Sequence, residues 1–172
     1  IAETLNRLAD AAAGVTYEAI VADNASTDAT AEICRAVPGV QVIGNKTNRG
    51  FSHAVNQAAS ASRGKVLVAV NQDLYLEPGS LKAMHGFLAT TDGLAGGALS
   101  FEDGTEQPSC GPFPTLAGTL CRLALPRRMR KYDLGRHRTG EAQAVDWITG
   151  AFLGFTREIF DEVGGFNEDY FM

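Results

Sequence analysis

Three short apolar runs, YEAIVA at 17–22, VQVIG at 40–44 and KVLVAV at 65–70, alternate with stretches of helical spacing, and this alternation constrains the fold most. Strand, helix, strand, helix, strand is the pattern of an α/β chain. The third run is nearly continuous in apolar residues, as expected of a strand covered on both faces of a parallel sheet. Leu5, Leu8 and Ala12 predict a helix before the first strand, ended by Gly14. Ser26 or Thr27 can cap a second helix running to Arg35, with Ile33 and Val37 facing inward and Pro38-Gly39 as its stop. Residues 50–62 form a third, so rich in small side chains that it must lie against something flat.

Further along, Leu81, Met84, Phe87 and Leu88 make one apolar face of a helix that starts near Pro78-Gly79-Ser80. Residues 93–101 read as a short strand entering a tight turn at Asp103-Gly104. Leu116 to Leu125 read as helical, and 127–138, with Arg127, Arg128, Arg130, Lys131, Arg136 and Arg138, as an exposed basic segment. Residues 145–166 return to strand and then helix, with Thr156 as cap, Ile159, Phe160 and Val163 on one face, and Gly164-Gly165 as exit.

Composition narrows the function classes. A length of 172 residues suits one domain with a layered core, and no apolar run is long enough to span a bilayer. Fifteen Lys plus Arg against 20 Asp plus Glu give a net charge of -5, which argues against a nucleic-acid partner. Three cysteines without a close pair suggest neither a disulfide scaffold nor a zinc site, and fit a reducing compartment. The dinucleotide fingerprint GxGxxG, the phosphate loop GxxxxGK[ST] and the hydrolase elbow GxSxG are all absent from the sequence.

Chemistry-bearing residues collect where strands end. Asp23-Asn24 and Asn71-Gln72-Asp73 follow the first and third runs, on the rim where open α/β sheets bind ligands. Carboxylates there can hold a hard divalent cation, accept hydrogen bonds from a ribose or read a pyrimidine edge; equally, they can cap the next helix. Arg49, with Gly50 permitting a tight helix start, can reach a phosphate or simply face solvent. His53 and Asn56, three apart, share a helix face, and His53, His85 and His137 are each isolated, so none is given a catalytic role.

Five ordered strings carry a resemblance: IVADNASTDAT at 20–30, NKTNRGFSHAVNQA at 45–58, VAVNQDLYLEPGSL at 68–81, DGTEQPSC at 103–110 and VDWITGAFLGFTREIFDEVGGFNEDYFM at 145–172. Together they resemble glycosyltransferase family 2 enzymes of GT-A fold, nearest to bacterial rhamnosyltransferase-like and galactofuranosyltransferase-like members. The resemblance implies a three-layer α/β/α fold with a mostly parallel central sheet, in one domain with a nucleotide-binding half at 1–92 and an acceptor-side half at 93–172. It implies inverting transfer of rhamnose or another hexose from a nucleotide-diphospho-sugar to a glycan or lipid-linked acceptor in cell-wall or surface polysaccharide synthesis.

By the same resemblance, Asp23 contacts the nucleotide base, and Asn24 and Ser26 shape its loop. Arg49 and Gly50 border the donor pocket, and Asn71, Gln72 and Asp73 replace the usual metal motif, with Asp73 as ligand of magnesium or manganese. Trp147, Gly150 and Ala151 border donor and acceptor, and Glu168 belongs to the acceptor-side element GGFNE, where Asn167 replaces the usual acid. Relatives begin with a strand that walls the nucleotide pocket and place the catalytic base a few residues beyond that element. The expectation is therefore that the first strand and the base lie outside these 172 residues, that the base is neither Glu168 nor Asp169, and that the piece alone is inactive. The expected location is cytoplasmic, at the inner membrane face, with the basic segment 127–138 either touching anionic headgroups or solvated. Two rival readings stand beside it: a nucleotide-sugar-binding domain without turnover, and a structural or assembly domain indifferent to nucleotide and metal.

Overall fold

The computed structural model describes residues 1–116 and 142–171; the helix expected over 116–125 and the basic segment 127–138 lie outside the described residues, except for Leu116. Two short helices come first, α1 (Ala2–Asn6) and α2 (Leu8–Ala12), in place of the single one expected. The break is at Arg7, whose side chain pairs with Glu3 at 2.7 Å and stacks its guanidinium 3.2 Å from the Tyr75 ring centre. Then follow β1 (Ala19–Asp23), α3 (Thr30–Ala36), β2 (Val40–Gly44), α4 (Gly50–Ala61), β3 (Val66–Val70) and α5 (Ser80–Leu88). The second half supplies β4 (Leu94–Gly96), β5 (Leu99–Ser100), β6 (Glu106–Gln107), β7 (Cys110–Gly111), β8 (Trp147–Ile148), β9 (Phe152–Thr156) and α6 (Arg157–Val163).

β1 and β2 pair in parallel, whereas β9 inserts antiparallel between β3 and β4. β4 and β3 therefore point the same way. Glu18, just before β1, accepts the Arg63 and Gly64 amides just before β3, so β1 and β3 also begin side by side. Four strands thus run in one sense and β9 against them. The parallel neighbour expected for β3 is missing among the described residues: its one ladder goes to β9, which needs no crossover helix because it runs the opposite way.

Alternation along β3 and β9 builds the layers. Val66, Val68, Val70 and Phe152 join Ala11, Leu76, Met84 and Leu88 on the face covered by α2 and α5. Leu67, Ala69, Leu153 and Phe155 join Ala59 and Phe160 on the face covered by α4 and α6. Gly154 is the contact point for α5, since a Cβ there would stand 2.6 Å from Met84 Sδ and 2.7 Å from Leu88 Cδ1.

Several local expectations need correction. α3 starts at Thr30, whose amide is accepted by Asp28 Oδ1 at 3.0 Å, not by Ser26 or Thr27. Cys34, not Ile33, is its buried residue; Ile33 is exposed because only a narrow stripe of this short helix meets the sheet. On α5, Met84 and Leu88 are buried while Phe87 is turned outward, and on α6 Val163 is exposed. The strand expected over 93–101 is split at Gly97, where Phe152 fills the space any Cβ would need. The turn at Asp103-Gly104 holds: Phe101 N–H donates to Thr105 O at 2.8 Å and β5 pairs with β6. Thr156 caps α6 through Ile159 N–H, and Gly164 ends it in the left-handed conformation.

Candidate functional site

β1 delivers Asp23 to the rim, buried, with Oδ1 accepting the Ser26 amide at 3.0 Å. That bond tightens the loop through Ala25, a non-glycine residue at φ +65°. Asn24 donates from its side chain to Gly50 O at 3.0 Å, at the start of α4, and accepts from Asn45 at 3.0 Å. Asn45 and Gln57 exchange reciprocal amide bonds, both 3.0 Å. A chain of neutral amides therefore fixes the loop after β1 against α4. Sequence reasoning missed Asn45 and Gln57; the available signal was that both are amides inside the NKTNRGFSHAVNQA block.

Asn71 sits just beyond β3, and its N–H donates to Ala151 O at 2.9 Å. Gly150, next to it, lies against Phe51 of α4, 3.0 Å from where a Cβ would stand to Phe51 Cζ. Thr4 Oγ1 donates to Gln72 O (2.8 Å) and Leu74 O (3.0 Å), pinning the 71–74 turn to α1. Asp23, Asn24, Ser26, Gly50, Asn71 and Gln72 all line one cavity of about 1130 Å³.

Other expected site residues are not among those lining it. Asp73 is exposed, and no side chain among the described residues bonds its carboxylate. No three of His, Cys, Asp and Glu gather into a protein-only metal cage among the described residues. A lone open carboxylate is nevertheless a donor set that magnesium or manganese accepts when phosphate oxygens supply the remaining ligands. Trp147 packs its indole on Gly111 and donates Nε1–H to Pro112 O at 3.1 Å.

Arg49 and Glu168 meet each other rather than the cavity. Glu168 Oε2 takes His53 Nδ1 at 2.9 Å and Arg49 Nη2 at 3.2 Å, and Oε1 takes Asn56 Nδ2 at 3.1 Å. Asn56 also grips the Phe166 peptide on both sides, at 2.8 Å each. His53 and Asn56 share a helix face, as their spacing predicts, and that face anchors the 165–171 segment to α4. Hydrogen bonds from Asn56, then from His53, hold the Glu168 carboxyl below its ordinary value. A carboxylate so engaged is a weaker proton acceptor than a free one.

A strand-end rim with amides, one buried and one open carboxylate, and a helix N-terminus beside them can hold a polar, phosphate-bearing ligand. The model of glycosyl transferase family 2 matches residues 1–164. The chain is 28% identical over 172 residues to the N-acetylglucosaminyl-diphospho-decaprenol L-rhamnosyltransferase of Mycobacterium tuberculosis, in each of two strains, covering 89% of this chain and 56% of that protein. It is 36% identical over 73 residues to the succinoglycan biosynthesis protein ExoO of Rhizobium meliloti, covering 41% of this chain and 21% of that one. Among solved structures, the mannosyltransferase PcManGT from Pyrobaculum calidifontis, in complex with GDP-Man and Mn2+, superposes with a TM-score of 0.59 at 26% identity, covering 88% of this chain and 39% of that one. The chain spans about half the length of the M. tuberculosis relatives it matches. It has the α/β GT-A fold and belongs to glycosyl transferase family 2.

Proposed function

We propose that the protein takes part in inverting transfer of a sugar from a nucleotide-diphospho-sugar to a lipid-linked or glycan acceptor, with dTDP-rhamnose as first donor and a UDP-hexose or UDP-galactofuranose next. The observation that carries the reading is the convergence of Asp23, Asn24, Ser26, Gly50 and Asn71 on one concavity in a chain of this family. The rhamnosyltransferase and the manganese-bound mannosyltransferase among its relatives support the donor class and a divalent cation.

In this reading Asp23 and Asn24 receive the base and ribose, their loop already ordered by the amide chain to Gln57. Asp73 would hold magnesium or manganese, whose charge offsets that of a departing diphosphate. Gly150 and Ala151, tied to Phe51 and Asn71, set the wall on the sugar side. The acceptor hydroxyl oxygen bonds to the anomeric carbon as the bond from that carbon to the diphosphate oxygen breaks. A carboxylate outside the engaged Glu168 takes the hydroxyl proton. With a lipid-linked acceptor, the proposed place of work is the cytoplasm, at the inner face of the plasma membrane.

The test is Asp73→Ala in the full-length protein, with folding checked by circular dichroism. Transfer falling by about a hundredfold or more, as when electrostatic stabilisation of a leaving group is removed, supports the reading. Transfer at the unmutated rate removes Asp73 from the mechanism. Nucleotide binding that depends on Asp23 without any transfer favours a binding domain, and indifference to both nucleotide and metal favours an assembly domain.

A further inference from the structure

Asp73 is presented by backbone alone. It is exposed, and with Gln72 it forms the centre of the turn that Leu74 N–H closes on Asn71 O at 3.3 Å. Where its carboxylate stands is therefore set by whatever fixes that turn. One end is tied to the sheet, because Asn71 N–H donates to Ala151 O at 2.9 Å just beyond β3. The other end has no such support, since Leu74 to Gly79 belong to neither strand nor helix.

Thr4 supplies the second fixing point. Its Oγ1 stands 2.8 Å from Gln72 O and 3.0 Å from Leu74 O, the carbonyls of the residues on either side of Asp73. A carbonyl can only accept, so the hydroxyl donates, and its one proton is shared between two acceptors. Thr4 is 5% exposed and lies with Leu5 on the buried face of α1. For packing alone an aliphatic side chain would serve there, and as a helix former Thr ranks below Ala or Leu. What the hydroxyl adds is its grip on the turn. Branching at Cβ restricts rotation of the side chain, so the oxygen is held in place as well as supplied.

Further contacts keep the same register. The Arg7 guanidinium stacks 3.2 Å from the Tyr75 ring centre, and Asp10 O accepts Gly79 N–H at 2.9 Å. Thr4, Arg7 and Asp10 thus hold 72–74, 75 and 79 in order, from positions three apart along the chain. Of these three contacts, that of Thr4 alone is made to the residues flanking Asp73.

We infer that Thr4 is a positioning residue for Asp73: by holding Gln72 O and Leu74 O, its hydroxyl sets where the Asp73 carboxylate stands on the rim, and with it the affinity for a divalent cation. The inference rests on the reading of Asp73 as the residue that would hold that cation. Groups that orient a metal ligand without touching the metal commonly change metal affinity by about 10–100-fold when removed.

The test is Mn2+ binding to the full-length protein, followed by the electron paramagnetic resonance signal of free Mn2+ in the presence of dTDP, with UDP in parallel. Thr4→Val keeps the shape and removes the hydroxyl; Thr4→Ser keeps the hydroxyl; Asp73→Ala removes the carboxylate. Thr4→Val is expected to weaken Mn2+ binding about tenfold and to speed exchange of the Asn71 and Leu74 amides, while those of 152–156 stay protected. Thr4→Ser should match the wild type in both, and dTDP binding without Mn2+ should be equal in all three. Should Thr4→Val not fold, Thr4→Ala, with a better helix former, makes the same comparison. Loss of Mn2+ binding in Asp73→Ala with wild-type binding in Thr4→Val would overturn the inference and leave the reading of Asp73 standing. So would a Thr4→Ser protein as weak as Thr4→Val, which would make the effect one of packing, or an equal loss of dTDP binding without Mn2+, which would make it one of general order at the rim. Undiminished Mn2+ binding in Asp73→Ala, or none in the wild type with either nucleotide, would overturn the reading of Asp73 and this inference with it.

Discussion

β9 and β1 are strands of equal length with opposite fates. β9 reads FLGFT, with a glycine at its centre, and is buried from Phe152 through Phe155. β1 reads AIVAD, apolar up to its last residue, and only Asp23 is fully buried. The difference lies in their neighbours: β9 is paired on both edges and covered by helices on both faces, whereas β1 has one partner strand among the described residues and lines the cavity. Composition specifies what a strand can bury, and its place in the sheet decides what it does bury.

That contrast can be broken most directly with truncations. Phe155, 2% exposed, packs on Phe160 at 5.6 Å and on Phe166 at 5.7 Å between ring centres. Phe155→Ala is expected to cost about 3–5 kcal/mol in denaturant unfolding. Val21→Ala on β1 should cost under about 1 kcal/mol in the same assay. Equal losses at the two positions would mean that β1 is as fully packed as β9. Next in size is Gly154→Ala, where the new methyl meets Met84 and Leu88; an overpacking cost of about 1–3 kcal/mol is expected. A smaller effect is expected at Arg157, which follows β9 and donates to Ala59 O, Gly64 O and both oxygens of Ser62, closing the end of α4. Arg157→Lys should lose about 1–2 kcal/mol, since an ammonium keeps the charge but not the planar fork that spans these acceptors.

The same contrast explains what could be read from the sequence. β1, β2, β3 and α4 were legible because their apolar periods are long and bounded by Asp, Asn, Gly and Pro. The rim was legible because Asp23 and Asn71 fall just after such runs. Antiparallel insertion of β9 was not, because 145–156 carries strand residues but nothing local that names their partner, and pairing is a long-range choice. Outward-facing Ile33 and Phe87 escaped for a related reason: periodicity marks a helix face, but the width of contact is set by the sheet beneath it. The amide chain Asn24–Asn45–Gln57 and the Glu168 cluster join residues 12 to 119 positions apart, a proximity that spacing along the chain does not encode.

The smallest expected effect concerns Glu168, on the surface where the 165–171 segment meets α4. Its carboxyl titrates below its ordinary value of 4.5, through hydrogen bonds from Asn56 and His53 and the nearby Arg49 charge. The folded state therefore prefers the charged form. The stabilisation is fully present above the unfolded-state value and is lost as pH falls through the lower folded value. In Glu168→Gln the neutral amide accepts more weakly and does not titrate. Unfolding midpoints of the two proteins should therefore differ most near neutral pH, with the wild type higher, and converge as the pH falls through the lowered folded-state value. The loss should show as earlier exchange of the Phe166–Glu168 amides, while those of 152–156 stay protected, because the cluster fastens only the 165–171 segment to α4. A gap that widens toward acid would reverse the sign of the Glu168 interaction. A midpoint difference independent of pH would mean that the carboxylate packs without its charge being used.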